Sequence, residues 1–132
     1  MQEKKTALIA GASGIVGRGI AERLVGDGWR VLCASRSGGG HLPGTEGVAV
    51  DLLDAEACAR AVAPHAGITH VFHAAFQPAP SRAAEVAPNL AMLRNVVEAV
   101  QQASPALRKV VLVTGAKLYG IHWGASSTPC RE

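Results

Sequence analysis

The sequence predicts an α/β domain built on a doubly wound parallel sheet in the strand order 3-2-1-4-5. Three observations lead there. Five short apolar runs recur along the chain, as expected of strands buried on both faces. Segments with helical periodicity or helix-capping residues separate several of them. A glycine-spaced loop directly follows the first run and opens the first helix. Crossovers between parallel strands are right-handed, which leaves few topologies, and in this order the topological switch falls between strands one and four.

The first run, "TALIAG" (Thr6 to Gly11), ends in glycine. In the helix after it, Ser13 is placed to cap, and Val16, Ile20, Leu24 and Val25 share one face before Gly26 and Gly28 end the element. "WRVLCAS" (Trp29 to Ser35) is strand two, "SGGG" a turn, and "GVAV" (Gly47 to Val50) strand three, stopping at Asp51. Asp54 is expected to cap a weak, alanine-rich helix through Val62, and Pro64 and Gly67 bracket the turn into strand four, "THVFHAA" (Thr69 to Ala75). From Val86 to Ala103, residues Val86, Leu90, Leu93, Val97 and Val100 form a helical stripe read as core packing against the sheet, with Pro88 in the first turn. "KVVLVTG" (Lys109 to Gly115) is strand five.

A chain of 132 residues without internal repeat or linker fits one domain. The net charge of +3 is spread along the chain and aromatics make up only 4%, so no cation-and-ring surface for nucleic acid is expected. No run approaches a membrane span, and the apolar run after "MQEKK" is too brief for a signal peptide. Cys33, Cys58 and Cys130 have no metal-ligand spacing, which points to a reduced, cytoplasmic setting with Cys33 as strand filler. His70 and His73 are three apart on a strand and so face opposite sides; no metal site is expected.

The chemistry concentrates at strand ends. "GASGIVG" spaces Gly11, Gly14 and Gly17 as GxxGxxG: one glycine for a tight turn, one for close approach of backbone amides to a pyrophosphate, one for helix-on-strand packing. Ser13, Ile15 and Val16 of the same loop join them as candidate cofactor contacts. Strand two ends in Ser35 and Arg36, where an acidic residue would hold the ribose hydroxyl of NAD; an arginine favours the 2'-phosphate, hence NADP(H) over NAD(H). Asp51 either accepts from the adenine amino group, with Leu52 against the ring, or only caps a turn. Ala74, Ala75 and Phe76 follow strand four at the switch point, where small side chains leave space for a ribose and pyrophosphate, and Thr114 near the end of strand five joins them as a candidate cofactor contact. Lys117 lies just past that end as a candidate catalytic residue, with Tyr119 two positions on.

Together, "GASGIVG", the "SR" of Ser35 and Arg36, the "DL" of Asp51 and Leu52, "THVFHAAF", "NLAMLRN" (Asn89 to Asn95) and above all "TGAKLYG" resemble the extended short-chain dehydrogenases/reductases, within them the progesterone 5β-reductase and iridoid synthase-like enzymes. The resemblance runs from Ala7 to about Gly120 and implies a Rossmann-type domain in an NADPH-dependent enzyme reducing an activated alkene or a carbonyl. It further implies that Lys117 supports a tyrosine that stabilises an enolate, lowering a phenol's pKa and holding the nicotinamide ribose. Tyr119 is a poor partner, because K-x-Y departs from the Y-x-x-x-K of the wider superfamily, in which one helix face carries both side chains. The expectation is therefore the N-terminal, cofactor-binding part of a longer reductase, truncated after strand five, without its substrate portion and catalytically incomplete alone. Its partner in full-length form is a small-molecule substrate, and the exposed edge of strand five invites a homo-oligomer. Two other functions stay open: a non-catalytic NADP(H)-binding redox sensor, and an NAD-dependent epimerase/dehydratase-like fragment, against which Ser35 and Arg36 weigh.

Overall fold

The computed structural model describes residues 4–38, 42–115 and Gly124. Along them run β1 (Thr6–Ala10), α1 (Ile15–Gly26), β2 (Arg30–Ser35), β3 (Thr45–Ala49), α2 (Ala55–Val62), β4 (His70–His73), α3 (Arg82–Ala103) and β5 (Lys109–Leu112). The strands form one parallel sheet in the order β3-β2-β1-β4-β5, as the sequence predicts. This is a Rossmann-type sheet with helices. Leu8 at its centre lies opposite Leu32 of β2 on one side and Val71 of β4 on the other.

Alternation along β1 divides the core in two. Leu8 and Ala10 join Leu32, Val71, the α2 residues Cys58 and Val62, and the α3 residues Met92 and Val96. Ala7 and Ile9 turn the other way, onto Val31, Cys33 and the α1 residues Ala21 and Leu24. Every residue of β1 is buried, which explains its unbroken apolar run.

Several boundaries differ from the sequence reading. β2 and β3 are Arg30–Ser35 and Thr45–Ala49, so Trp29 and Val50 fall outside them. β4 and β5 end at His73 and Leu112, which leaves Ala74, Ala75 and Thr114 beyond the strands. Gly14, not Ser13, is the N-cap of α1, and among the described residues no side chain caps that helix. The cause is local: Gly11 has φ +86°, so the chain turns sharply and Ser13 is used inside the turn.

α3 carries the larger correction. It starts at Arg82, capped by the Ser81 hydroxyl, which accepts from the Ala84 N–H at 3.2 Å. Pro88 therefore sits inside the helix rather than in its first turn. The buried residues are Met92, Val96, Ala99 and Val100, whereas Val86 and Leu90 of the expected stripe are 63% and 51% exposed. Of the expected stripe Val100 is buried and Leu93 and Val97 are half-buried, so the core face is rotated from the stripe and shares only its C-terminal end. The core side of α3 includes the small Ala99, where the helix can approach its neighbours closely.

Candidate functional site

The carboxyl ends of the strands open onto a crevice of about 670 Å3. It collects Gly11, Ser13 and Gly14 from the β1–α1 turn, Ser35 and Arg36 from the end of β2, Asp51 and Leu52 from beyond β3, and Ala74, Ala75 and Phe76 from beyond β4. These sequence-predicted residues come from four chain segments, and the parallel sheet puts them together because all its strands point the same way.

The loop is shaped by what a side chain would strike. A Cβ on Gly11 would lie 2.6 Å from the Ala74 carbonyl carbon and the Ala75 nitrogen, and one on Gly17 would run into the Gly11 carbonyl oxygen. Gly14 differs. Its Cβ would meet only the Gly11 carbonyl oxygen, at 3.5 Å, so the absent side chain leaves room rather than relieving a clash. The amides opening α1 have no side-chain cap, and no acidic residue stands in the first turn. An uncapped helix start beside a crevice fits a pyrophosphate, whose negative charge those amides and the helix dipole favour.

Arg36 is exposed, lines the crevice, and has no hydrogen-bond or ion-pair partner among the described residues. Beside it, the Ser35 hydroxyl accepts from the Gly38 N–H at 3.2 Å. Asp51 lines the crevice and also caps its own turn, since Oδ1 accepts from the Leu53 N–H at 3.0 Å. Both readings of that carboxylate thus have geometric support.

Two asparagines not singled out individually in the sequence hold the crevice walls. Asn95 of α3 donates through Nδ2 to the Leu52 carbonyl at 2.9 Å. Asn89 donates through Nδ2 to the Gln77 carbonyl and accepts at Oδ1 from the Gln77 N–H, both at 2.8 Å. A second Nδ2 bond reaches the Glu85 carbonyl at 2.8 Å. α3 is thereby tied to the loops after β3 and β4. Their sequence signal is faint: asparagine is a poor residue for a helix interior unless its amide has other work.

A second opening of about 510 Å3 lies beyond β4 and β5, lined by Val16, His73, Leu93 and Thr114 among others. Ala74, Ala75 and Phe76 border both openings. Ile15 is 94% exposed and Gly17 is buried; neither lines an opening. His73 is buried, its Nδ1 has no hydrogen-bond partner among the described residues, and burial pushes its pKa down, which favours the neutral ring. His70 belongs to the opposite face, edge-on to Trp29 with ring centroids 4.7 Å apart. Burial also pushes the Cys33 and Cys58 thiols up, away from reactive thiolates. Among the described residues no three His, Cys, Asp or Glu side chains could hold a metal ion, and no helix is long and apolar enough to cross a membrane. Lys117, Tyr119 and Cys130 lie outside the described residues.

The sequence profile of the NAD dependent epimerase/dehydratase family matches residues 7–130. The chain belongs to that family. Among curated relatives of this epimerase/dehydratase-family chain, the 3-oxo-Delta(4,5)-steroid 5-beta-reductase of Arabidopsis thaliana is 34% identical over 125 residues, covering 88% of this chain and 32% of that protein. The (S)-8-oxocitronellyl enol synthase of Antirrhinum majus is 31% identical over 132 residues, covering 92% and 32%. The chain thus spans about a third of the length of these relatives, whose names bear out the 5β-reductase and iridoid synthase-like resemblance. A crystal structure of a candidate epimerase from Burkholderia cenocepacia J2315 superposes with a TM-score of 0.74 at 30% identity, over 90% of this chain and 40% of that one. The Y136A mutant of uronate dehydrogenase from Agrobacterium tumefaciens, complexed with NAD, superposes with a TM-score of 0.63 at 26% identity, over 85% and 41%.

Proposed function

We propose that the crevice binds NADP(H) in preference to NAD(H), and that the chain supplies the cofactor half of an NADPH-dependent reductase of activated alkenes or carbonyls. One observation carries this reading: at the end of β2, where a carboxylate would hold the ribose hydroxyl of NAD, stands Arg36, without a partner among the described residues. A planar, permanently charged fork suits a phosphate dianion.

Each wall then has a task. The amides at Gly11 to Gly14 receive the pyrophosphate, Arg36 the 2'-phosphate, and Asp51 with Leu52 the adenine. Ala74 and Ala75 leave room for the second ribose. The nicotinamide, when bound, supplies the hydride. Family resemblance assigns Lys117 to the ribose and to a tyrosine that protonates or stabilises the developing oxyanion, a contact of the kind worth about 2.7 to 4 kcal/mol. Tyr119 is ill placed for that tyrosine on sequence grounds, so the 132-residue chain is expected to bind cofactor without turnover. The spacing and odd number of the cysteines support a reduced, cytoplasmic setting.

Calorimetric titration with NADPH and NADH tests the reading. Arg36→Ala should weaken NADPH by about ten- to a hundredfold and spare NADH, as expected for one charge-assisted contact. Equal affinity of the unmutated chain for both cofactors would overturn it in favour of an NAD-dependent epimerase-like role. NADPH oxidation with enone substrates, lost in both Lys117→Ala and Tyr119→Phe, would make Tyr119 the acid.

A further inference from the structure

A smaller cavity of about 360 Å3 adjoins the main crevice and shares Ser13, Ser35 and Arg36 with it. Gly11 and Gly14 do not line it, so it lies off the pyrophosphate position. What it adds is a second guanidinium, Arg18, and a third hydroxyl, Ser37. We infer that Arg18 and Arg36 together form a site for a phosphomonoester, with Arg18 a specificity-determining residue for the 2'-phosphate; this rests on the NADP(H) reading above.

The charge and the donors of the cavity together favour that ligand class. Arg18 uses its Nε–H on Glu22 Oε1, at 2.9 Å. Its other four N–H donors have no partner among the described residues, and neither has the Arg36 fork. Two cations thus share one carboxylate, leaving one positive charge over. That surplus calls for an anion, and the number of donors selects its kind: a phosphomonoester offers three terminal oxygens to the two guanidinium groups and the hydroxyls of Ser13, Ser35 and Ser37, where a diester offers two. Arg18 also occupies the first turn of α1, where the helix dipole disfavours a cation; that turn holds no acidic residue, and Glu22 meets only the Nε edge. A dianion beside it would relieve that cost. The Nε edge held by Glu22 leaves the two Nη groups as the pair available to phosphate oxygens.

The test is calorimetry on the 132-residue chain with NADPH, NADH, 2',5'-ADP and 5'-AMP, each variant first checked for unchanged circular dichroism. Arg18→Gln should weaken NADPH and 2',5'-ADP by about tenfold or more while NADH and 5'-AMP move by less than about twofold. Arg18→Lys, which keeps the charge and loses the fork, should fall between. Glu22→Gln keeps an acceptor for the Nε–H but removes the negative charge paired with Arg18, so it should tighten NADPH alone. If Arg36→Ala collapses the NADPH preference while Arg18→Gln leaves it intact, or if Arg18→Gln weakens all four ligands equally, the role of Arg18 is refuted and the NADP(H) reading survives. If the unmutated chain prefers neither NADPH nor 2',5'-ADP, both fall together.

Discussion

α1 and α2 pack on opposite faces of the sheet, each starting after the carboxyl end of a strand, and their N-termini are finished in opposite ways. At α2 the Asp54 carboxylate accepts from the Ala57 N–H at 2.9 Å, and Glu56 adds a negative charge to the first turn. At α1 the N-cap is Gly14, no side chain accepts from the helix amides, and the charged residue in the first turn is Arg18. Local chemistry closes α2 for stability. α1 is left unfinished, as the anion binding proposed above requires. The same chain caps one helix start and leaves the other open at the glycine loop.

The most damaging way to break this contrast is to put a side chain into the loop itself. Gly17→Ala drives a Cβ into the Gly11 carbonyl oxygen, with Ala12 Cα at 3.0 Å, and backbone cannot yield as a side chain can. A loss of at least about 3 kcal/mol is expected, read from the urea midpoint, with cofactor binding lost as well. Next comes Asp54→Ala, which should cost about 1 kcal/mol and leave NADPH affinity untouched. A fall in affinity there would erase the distinction between the two helix ends.

Acid adds a further, smaller handle. His73 is held neutral by burial, and burial, ahead of the nearby charges of Lys5, Lys109 and Arg108, lowers the pKa of His70. Below roughly pH 6.5 the unfolded chain takes up protons that these folded sites resist, so their contribution to stability is full above that pH and is lost as pH falls through it. Denaturation midpoints should drop between pH 7.5 and 5, and His73→Leu should flatten the slope. The mildest change is Ser13→Ala. Ser13 lines the crevice but caps nothing, so stability should stay within about 0.5 kcal/mol while NADPH binding weakens. A clear loss of stability would mean that Ser13 closes α1 after all.

Much of this was legible in the order of residues. Apolar runs cut to strand length, an aspartate before an alanine-rich segment and three glycines after the first strand report their own conformations, because strand burial, capping and tight turns depend on neighbours a few positions away. Strand order followed from the handedness of crossovers. Three features did not follow. The buried face of α3 was decided by where α2 and the sheet lie, and a helix with apolar residues on more than one face does not name the face it will hide. The amides of Asn89 and Asn95 found backbone partners 12 and 43 positions away. Arg18, which reads along the chain as one more exposed helical cation, shares a cavity with Arg36 because β1 and β2 are paired side by side. Period and capping are short-range properties that a sequence writes directly, whereas contacts between distant segments exist only once the parallel sheet has set their separation.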